Sequence, residues 1–326
     1  MTKIIGLGNA LVDVLVQIGD NTLLEQLQLP KGGMMLIDDA QYKRIGNMLT
    51  DIDTSRATGG SAANTILALS AVYDGTVFVG AVGADTYGSF FREAQQSRGI
   101  DSRLVECTTK HTGVATTFIS PDGERTFATH LGASAMIDPR AIPYRKGDVL
   151  HIEGYMVQNH QLTEQVLRKA ADEGMTISYD LASWNIVQSD RDFIQRMVCE
   201  YVNIVFANEE EAAAYCQTND MEAAVEQLAA DADIAVVKLG KSGALVRRQA
   251  DGQSVFVPTA PQDKVVDTTA AGDFFAAGFL YGYVTGQSLA TCLAYGHRTA
   301  GEVIQVLGTQ VTPERLRAAI EAAKPQ

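Results

Sequence analysis

The residues best suited to chemistry lie at positions 267–273, which read Asp-Thr-Thr-Ala-Ala-Gly-Asp. Val265 and Val266 before them predict the end of an apolar strand, and the small residues at 270–272 favour a tight turn. Aromatic and small residues then recur every three or four positions over 274–279, which predicts a buried helix. Free N–H groups and the positive dipole end of a helix N-terminus attract anions. The stretch therefore predicts an anion-binding turn.

Asp273 falls in the first turn of this predicted helix, directly beside the anion. A carboxylate in that position can accept a proton from an attacking hydroxyl group. An anion cradle with an adjacent base indicates phosphoryl transfer to an alcohol. An acidic residue at a helix start also serves as a cap or a partner of the helix dipole, so the spacing alone leaves a structural role open.

Two other stretches place polar residues at the start of predicted helices. Gly59 and Gly60 precede a helix of small residues that carries Asn64, and paired glycines let a ligand or another backbone approach closely. Asn208 and Glu211 follow a buried strand and share one face of the next helix. From the residues alone, tight packing explains the first stretch and helix capping explains the second equally well.

Residues 6–11 read Gly-Leu-Gly-Asn-Ala-Leu, which is half of a dinucleotide-binding fingerprint. The third glycine is missing and the valines at 12, 14 and 16 alternate as in a strand, so an NAD site is a weak alternative. The alternation places Asp13 among valines on an extended segment. There it is either satisfied by backbone groups or accepts a hydrogen bond from a substrate hydroxyl.

Composition limits the partners and the location of the protein. The 326 residues carry a formal net charge of −13, which opposes a nucleic-acid partner. The four cysteines are widely spaced and indicate neither a disulfide framework nor a zinc site. Asn9 and Asp13 interrupt the apolar N-terminal stretch, which argues against a signal peptide, and no run reaches membrane-spanning length. We expect a cytoplasmic protein without a membrane partner.

Strand and helix patterns alternate along nearly the whole chain. This predicts an α/β fold with a doubly wound, mostly parallel sheet and helices on both faces. A binding cleft is expected at the C-terminal ends of the strands. The exception is a group of short extended pieces between 102 and 131, which predicts a separate small sheet. We expect one domain over 1–326.

The Asp-Thr-x-x-Ala-Gly-Asp pattern at 267–273 resembles the C-terminal signature of the PfkB, or ribokinase-like, family of sugar and nucleoside kinases. The resemblance implies that Asp273 is the catalytic base and that the N–H groups of Ala270, Ala271, Gly272 and Asp273 form the anion hole. Family members usually have glycine where this chain has Ala270. Alanine keeps the N–H, so the hole survives if the backbone there does not need a positive φ.

Other motifs of the family extend the resemblance to the acceptor side. The segment from Gly8 to Asp13 is similar to its N-terminal Gly-Asn-x-x-x-Asp pattern, which implies that Asp13 holds two neighbouring hydroxyls of the acceptor. The Gly-Gly-x-x-x-Asn pattern similarly implies that Gly59, Gly60 and Asn64 bind substrate.

The resemblance also implies a nucleotide site and its cofactors. Asn-x-x-Glu at 208–211 resembles the magnesium and phosphate motif, with Glu211 binding Mg²⁺ through water. The expected nucleotide-binding residues are Asn208, Lys238, Gly240, Gly243, Thr268 and His297. The implied cofactors are ATP and Mg²⁺, and the resemblance allows a monovalent cation such as K⁺.

In the family, a small β-sheet covers the acceptor site as a lid and often forms the interface of a homodimer. The corresponding segments here are about 11–19, 33–38 and 102–131. A lid suits the chemistry because water must be kept away from the phosphoryl donor.

The resulting prediction is an ATP-dependent kinase that phosphorylates a primary hydroxyl of a nucleoside or sugar. Segments such as Gly123-Glu124-Arg125 and Gly296-His297-Arg298 are most similar to the adenosine kinases of the family. Ribokinase, fructokinase and ketodeoxygluconate kinase remain alternatives, because motifs do not specify the base pocket. A non-catalytic small-molecule-binding regulator of the same fold is the alternative from another functional class.

Overall fold

Nine strands form the larger of two sheets in the computed structural model, which describes residues 1–262 and 264–324. Seven neighbouring strands are parallel, and two antiparallel strands complete one edge. In order across the sheet they are β14 (Ser254–Val257), β13 (Ala244–Arg248), β12 (Ile234–Lys238), β11 (Ile204–Asn208), β10 (Thr176–Asp180), β9 (Val149–Glu153), β1 (Ile4–Leu7), β5 (Thr76–Gly83) and β6 (Asp101–Cys107).

Helices cover both faces of this sheet, as predicted. Side chains alternate along each strand, so that in β1 Ile4 belongs to one buried cluster while Ile5 and Leu7 belong to the other. The helices in the described part of the chain are α1 (Thr22–Leu27), α2 (Asp39–Met48), α3 (Ser61–Leu69), α4 (Thr86–Ser97), α5 (His160–Asp172), α6 (Trp184–Ser189), α7 (Arg191–Tyr201), α8 (Glu209–Cys216), α9 (Met221–Asp231), α10 (Ala271–Val284), α11 (Leu289–Val303) and α12 (Pro313–Ala322). Within those residues, none of these helices is long and apolar enough to cross a membrane.

Five strands form the small sheet. In order they are β3 (Met34–Leu36), β8 (Arg125–His130), β7 (Gly113–Ile119), β2 (Leu11–Gln17) and β4 (Thr54–Gly59). Strand β4 was not predicted, because its first half is exposed and has no apolar alternation. It pairs antiparallel with β2 and places Ala57 opposite Asp13.

The predicted small-sheet segment 102–131 is wrong at its start. Residues 102–107 lie in β6, which pairs in parallel with β5 at the edge of the large sheet. The intervening α4 makes the crossover that a parallel pair requires. Because β6 lies at the edge of the large sheet, most of its residues are only partly buried and its sequence is weakly apolar. It therefore looked like a strand of the small sheet.

The central helix α10 confirms the predicted buried helix, but the residues before it do not form a strand. Val265 and Val266 are exposed, and the Val266 N–H donates to the Ile304 carbonyl 2.7 Å away. Apolar character alone therefore predicted the wrong structure here. The turn before α10 is instead held by its bonds to the end of α11.

Short polar side chains cap several of the helices. Asp85 accepts a hydrogen bond from the Gly88 N–H at 2.8 Å, and Thr312 caps α12 ahead of a proline in its first turn. Asp38 and Gln41 form a full capping box at the start of α2.

One buried histidine makes the fold sensitive to acid. His151 on β9 is fully buried, and its Nδ1 lies 3.0 Å from Ser178 Oγ. Burial lowers its pKa to about 4, so the unfolded chain binds the extra proton first as the pH falls. Stability is therefore present above the unfolded pKa of about 6.5 and is lost as the pH drops toward 4.

We expect His151→Leu to remove one contribution that destabilises the fold in acid. Between pH 7 and pH 5 this group lowers the free energy of unfolding of the wild type by about 2 kcal/mol, and the variant lacks that contribution. Urea denaturation of both proteins at the two pH values measures the difference between their changes. Equal changes in the two proteins would contradict the assignment to His151.

Candidate active site

A cavity of about 620 Å³ lies where the C-terminal ends of the parallel strands face the small sheet, as the fold predicts. Polar residues end four neighbouring strands, and all four line the cavity: Glu153, Asp180, Asn208 and Lys238. The strand register places Asp180 beside Glu153 and Asn208 beside Lys238. The small sheet supplies the opposite wall, which includes Leu11, Leu36 and Phe127.

The Asp273 carboxylate lies in the cavity wall, in the first turn of α10. Its Oδ1 accepts a hydrogen bond from Ser61 Oγ at 2.7 Å, and its Oδ2 accepts one from Asn64 Nδ2 at 2.9 Å. Burial raises the pKa of Asp273 to about 6, against the effect of the two hydrogen bonds, which lower it. A carboxylate with that pKa is mostly ionised at neutral pH and suits a general base.

The turn before α10 contains a left-handed residue. Ala270 has φ 62° and ψ 6°. The backbone at this position therefore does have a positive φ, contrary to the condition under which alanine would replace glycine freely. Alanine pays a steric cost in that region that glycine avoids. The Ala270 N–H is nevertheless retained, and it has no protein acceptor within the described residues.

The remaining N–H groups of the turn differ from one another. The Ala271 N–H donates to the Thr268 carbonyl at 3.2 Å. It was predicted to be a free donor of the anion hole, but here it already has an acceptor. Within residues 1–262 and 264–324, the N–H groups of Gly272 and Asp273 have no protein acceptor. A Cβ added to Gly272 would lie 3.1 Å from Lys238 Nζ, which places an ammonium group beside this helix N-terminus. The turn therefore combines free N–H donors with a nearby cation.

Asp13 lines the cavity from β2, on the side of the small sheet. Burial, and then the charge of Asp273, raise the pKa of Asp13 to about 7, while Arg125 acts in the opposite direction. A Cβ on Gly59 would lie 2.2 Å from Asp13 Oδ1, so this glycine makes room for the carboxylate and does not itself line the cavity. Gly60 does line it, with φ 99° and a hypothetical Cβ only 2.0 Å from the Asn9 carbonyl oxygen.

Asn64 has an unsatisfied acceptor. Its side chain is 5% exposed, its Nδ2 donates to Asp273, and its buried Oδ1 has no protein donor among the described residues. An unpaired buried acceptor costs about 1–3 kcal/mol. Because Asn64 lines the cavity, a ligand hydroxyl is a suitable donor for this atom.

Asn208 and Glu211 form a capping box at the start of α8. Asn208 Oδ1 accepts from the Glu211 N–H, and the Glu211 carboxylate accepts from both the N–H and the Nδ2 of Asn208, each at 2.8 Å. Glu211 is buried, which raises its pKa to about 7 even though the Lys238 charge lowers it. Both residues still line the cavity, so capping does not remove them from the site.

Lys238 is a buried cation among carboxylates. Its Nζ lies 3.0 Å from Asp180 Oδ2. Burial alone lowers its pKa, but the charges of Asp180 and Glu211 outweigh that effect and raise it. It is the only cationic side chain among the described residues that line the cavity.

Two predicted nucleotide residues lie outside the cavity lining. Gly243 has φ 142° and packs against Val257, so it shapes the turn between β12 and β13. His297 packs on Phe275, and its Nε2 lies 3.0 Å from the Val257 carbonyl oxygen. Thr268 and Gly240, which were also predicted to bind the nucleotide, line the cavity.

Among the residues that the sequence did not mark as functional are Ser61, Glu153 and Asp180 in the cavity lining and Arg125 beside it. Glu153 and Asp180 carry a readable signal, since each is an acidic residue that ends a buried parallel strand. Arg125 has no such signal. From β8 it forms an ion pair of 2.7 Å with buried Asp267 and donates to Thr269 Oγ1 at 3.2 Å. It thereby joins the small sheet to the turn before α10.

The sequence profile described as pfkB family carbohydrate kinase matches residues 28–315. The chain belongs to this family. The predicted fold and enzyme class are thereby confirmed, and this pfkB-family protein is a kinase.

Individual relatives cover almost the full chain. An adenosine kinase from Dictyostelium discoideum is 26% identical over 95% of this chain and 96% of its own. Among solved structures, a probable sugar kinase from Rhizobium etli CFN 42 superposes with a TM-score of 0.88 at 32% identity, covering 99% of both chains. The adenosine kinase of Sinorhizobium meliloti gives a TM-score of 0.88 at 31% identity, covering 98% of this chain and 99% of its own.

The strain at Ala270 leads to a prediction about stability. We expect Ala270→Gly to raise the free energy of unfolding by up to about 1 kcal/mol, because glycine accepts a positive φ without the steric cost. Ala182, which has φ 66° and also lines the cavity, should respond in the same way.

Ala271→Gly is the matched control, because Ala271 is the next residue and already lies in α10. It should be neutral or destabilising. Urea titrations of the three variants provide the comparison. A destabilising Ala270→Gly would contradict the left-handed backbone at this position.

Proposed function

We propose that this kinase transfers the terminal phosphoryl group of ATP to a primary hydroxyl of a nucleoside or sugar, with Asp273 as the general base. The observation that carries the proposal is the position of the Asp273 carboxylate. It lies on the first turn of α10, beside free N–H groups, and lines the same cavity as Asp13 and Asn64. A hydroxyl held between these groups has a base on one side and an anion site next to it.

The acceptor side of the cavity combines polar and apolar groups. Asp13 and the unpaired Asn64 Oδ1 suit neighbouring hydroxyls of a sugar ring. Leu11, Leu36 and Phe127 form an apolar wall on the small sheet. An apolar wall with an aromatic ring suits a nucleobase better than a free sugar. Adenosine is therefore our favoured acceptor, and ribose, fructose and ketodeoxygluconate are the alternatives.

The comparisons support a nucleoside or sugar as the acceptor. Named adenosine kinases occur among both the sequence relatives and the similar structures, although a probable sugar kinase is equally similar in structure. A dinucleotide site at residues 6–11 has less support. A Cβ on Gly6 would meet Ile66 at 2.4 Å, and one on Gly8 would meet Glu153 at 2.3 Å, so both glycines make room for protein side chains.

The phosphate side offers Lys238 and the N–H groups of Gly272 and Asp273 as donors. These groups stabilise negative charge that develops on transferred phosphoryl oxygens. Asp273 accepts the proton of the attacking hydroxyl, and Ser61 and Asn64 hold both oxygens of its carboxylate in place. Residues of the small sheet line one side of the cavity, where they would help to keep water away from the reacting groups.

Magnesium fits the carboxylates of this cavity through water. The described residues contain no group of three or more His, Cys, Asp or Glu side chains arranged to hold a metal ion directly. Mg²⁺ needs few protein ligands when it keeps its waters and binds phosphates. Glu211, with Asp180 near it, supplies the acceptor oxygens for such waters. Bound Mg²⁺ would supply charge neutralisation at the phosphates.

The proposal extends to three further properties. These are the requirement for a monovalent cation, a homodimer formed through the small sheet, and a cytoplasmic location. Light scattering measures the oligomeric state. Replacing K⁺ with a large organic cation in the activity assay measures the cation dependence.

An ADP-release assay with ATP and Mg²⁺ tests the function. The acceptor panel is adenosine, other nucleosides, ribose, fructose and ketodeoxygluconate. We expect turnover with adenosine and a loss on the order of 10²–10⁴ in rate for Asp273→Asn. Asp38→Asn is the control, because that aspartate caps α2 outside the cavity. Because the base acts in its ionised form, kcat/KM should fall below about pH 6.

Equal ADP release by wild type and Asp273→Asn would refute the base assignment. Turnover with a sugar and none with nucleosides would replace adenosine as the acceptor. No turnover with any acceptor would count against the proposed reaction as a whole.

Removing the Glu211 charge should change the response to magnesium. Glu211→Gln can keep the bond from the Asn208 N–H but loses the one from Asn208 Nδ2, and it weakens the hold on metal-bound water, so half-maximal activity should need more Mg²⁺. We expect an increase on the order of 10- to 100-fold. Titration of Mg²⁺ at saturating ATP measures it, and an unchanged midpoint would leave Glu211 with a capping role only.

A further inference from the structure

Glu153 is a buried carboxylate for which the proposed mechanism has no use. It ends β9, lines the cavity and has no exposed surface. Its Oε1 accepts from the Asn9 N–H at 2.9 Å and from Asn9 Nδ2 at 2.6 Å, and its Oε2 accepts from the Ala62 N–H at 2.9 Å. The carboxylate thus joins the end of β1 to the first turn of α3.

The same turn of α3 holds the candidate base. Ser61 precedes Ala62 in the chain, Asn64 follows two residues later, and both donate to the Asp273 carboxylate. Thr65 Oγ1 adds a bond of 3.2 Å to the Asp273 carbonyl oxygen. A continuous set of hydrogen bonds therefore runs from Glu153 through the first turn of α3 to the first turn of α10.

We propose that Glu153 is a positioning residue for phosphoryl transfer, which fixes the first turn of α3 so that Ser61 and Asn64 hold the Asp273 carboxylate in its reactive orientation. The inference rests on the role of Asp273 proposed above. Glu153 acts on the Asp273 carboxylate through α3, by way of Ser61 and Asn64.

The chemistry of the contacts explains why a carboxylate is required. All three groups around Glu153 are donors, and an ionised carboxylate only accepts hydrogen bonds. A glutamine of the same shape has one amide nitrogen that donates, so it must face a donor on one side. Either Asn9 or the Ala62 N–H then loses its acceptor, so the connection from Asn9 through Glu153 to the turn of α3 is broken at one end.

Gly8 provides independent evidence that this position is built around the carboxylate. A Cβ at Gly8 would lie 2.3 Å from Glu153 Oε2 and 2.9 Å from Ala62 Cβ. Asn9 is itself held, because its Oδ1 accepts from Ser134 Oγ at 3.0 Å. Both partners of Glu153 are therefore fixed on the protein side, and the carboxylate connects them.

The direction in which the pKa of Asp273 moves distinguishes a positioning role of Glu153 from a simple effect of its charge. Removing the negative charge of Glu153 would by itself lower the pKa of Asp273, because the two carboxylates repel each other. Loosening Ser61 and Asn64 would raise that pKa, because their hydrogen bonds lower it. The other ionisable groups that act on Asp273 or are acted on by it are Asp13 on β2, Tyr155 after β9, Asp180 on β10, Glu211 on α8 and Lys238 on β12.

The test is the pH profile of kcat/KM for Glu153→Gln, measured with the acceptor that the wild type uses. We expect the acidic limb to move to higher pH, as it also should in Ser61→Ala, and kcat to fall on the order of 10- to 100-fold. In the Ser61→Ala background, Glu153→Gln should cost clearly less than it costs alone, because both changes loosen the same carboxylate.

Asp148→Asn is the matched control. Asp148 is also buried and accepts from a backbone N–H, that of Lys3, but it lies just before β9, at the opposite end of that strand. This variant should lose stability without moving the acidic limb. If Glu153→Gln does not fold, Glu153→Asp replaces it, since the charge remains but the shorter side chain cannot reach both partners, and the limb should move in the same direction.

An acidic limb that stays in place or moves to lower pH would overturn the inference, as would an equal cost of Glu153→Gln with and without Ser61. Absence of turnover in the wild type is a different result, because it counts against the proposed function. Turnover with an unmoved limb rejects the positioning role alone.

Discussion

The Asp273 carboxylate is the contact on which the rest of the site depends, because it joins the N-terminal turns of the two central helices. Its two oxygens accept hydrogen bonds from Ser61 and Asn64 of α3, while its own backbone belongs to α10. Two helix N-termini therefore face one space, and their dipoles favour negative charge there. The same space receives the C-terminal ends of the parallel strands, where the fold leaves polar groups free of the core.

Charge within the cavity is uneven in a way that suits a phosphorylated ligand bound with a metal. The described lining contains many carboxylates, and burial raises the pKa of Asp13, Glu153, Glu211 and Asp273. Lys238 compensates only part of this negative charge, and it does so directly beside Gly272 and Asp180. A nucleotide with divalent metal would meet the N–H groups of α10 on one side and the carboxylates on the other.

The small sheet completes the site by contacts that sequence patterns do not reveal. Its wall is largely apolar, and Arg125 ties it to buried Asp267 in the turn before α10. Strand β4 was missed because half of it is exposed, and segment 102–107 was placed in the wrong sheet because edge strands of either sheet have similar patterns. Strand pairing between distant segments decides both cases, and local periodicity contains no information about the partner.

The sequence by itself determined the alternating α/β fold, the buried helix α10 and the kinase family, because each depends on local spacing or a short motif. It also singled out Asp13, Asn64, Asn208 and Asp273, which line the cavity, since those residues lie within such motifs. Only the tertiary structure decided that Ala270 is left-handed, that Gly59 makes room for Asp13, and that Glu153 joins β1 to α3. These depend on atoms more than forty positions apart or on a backbone angle, and a single sequence records neither the distance nor the angle.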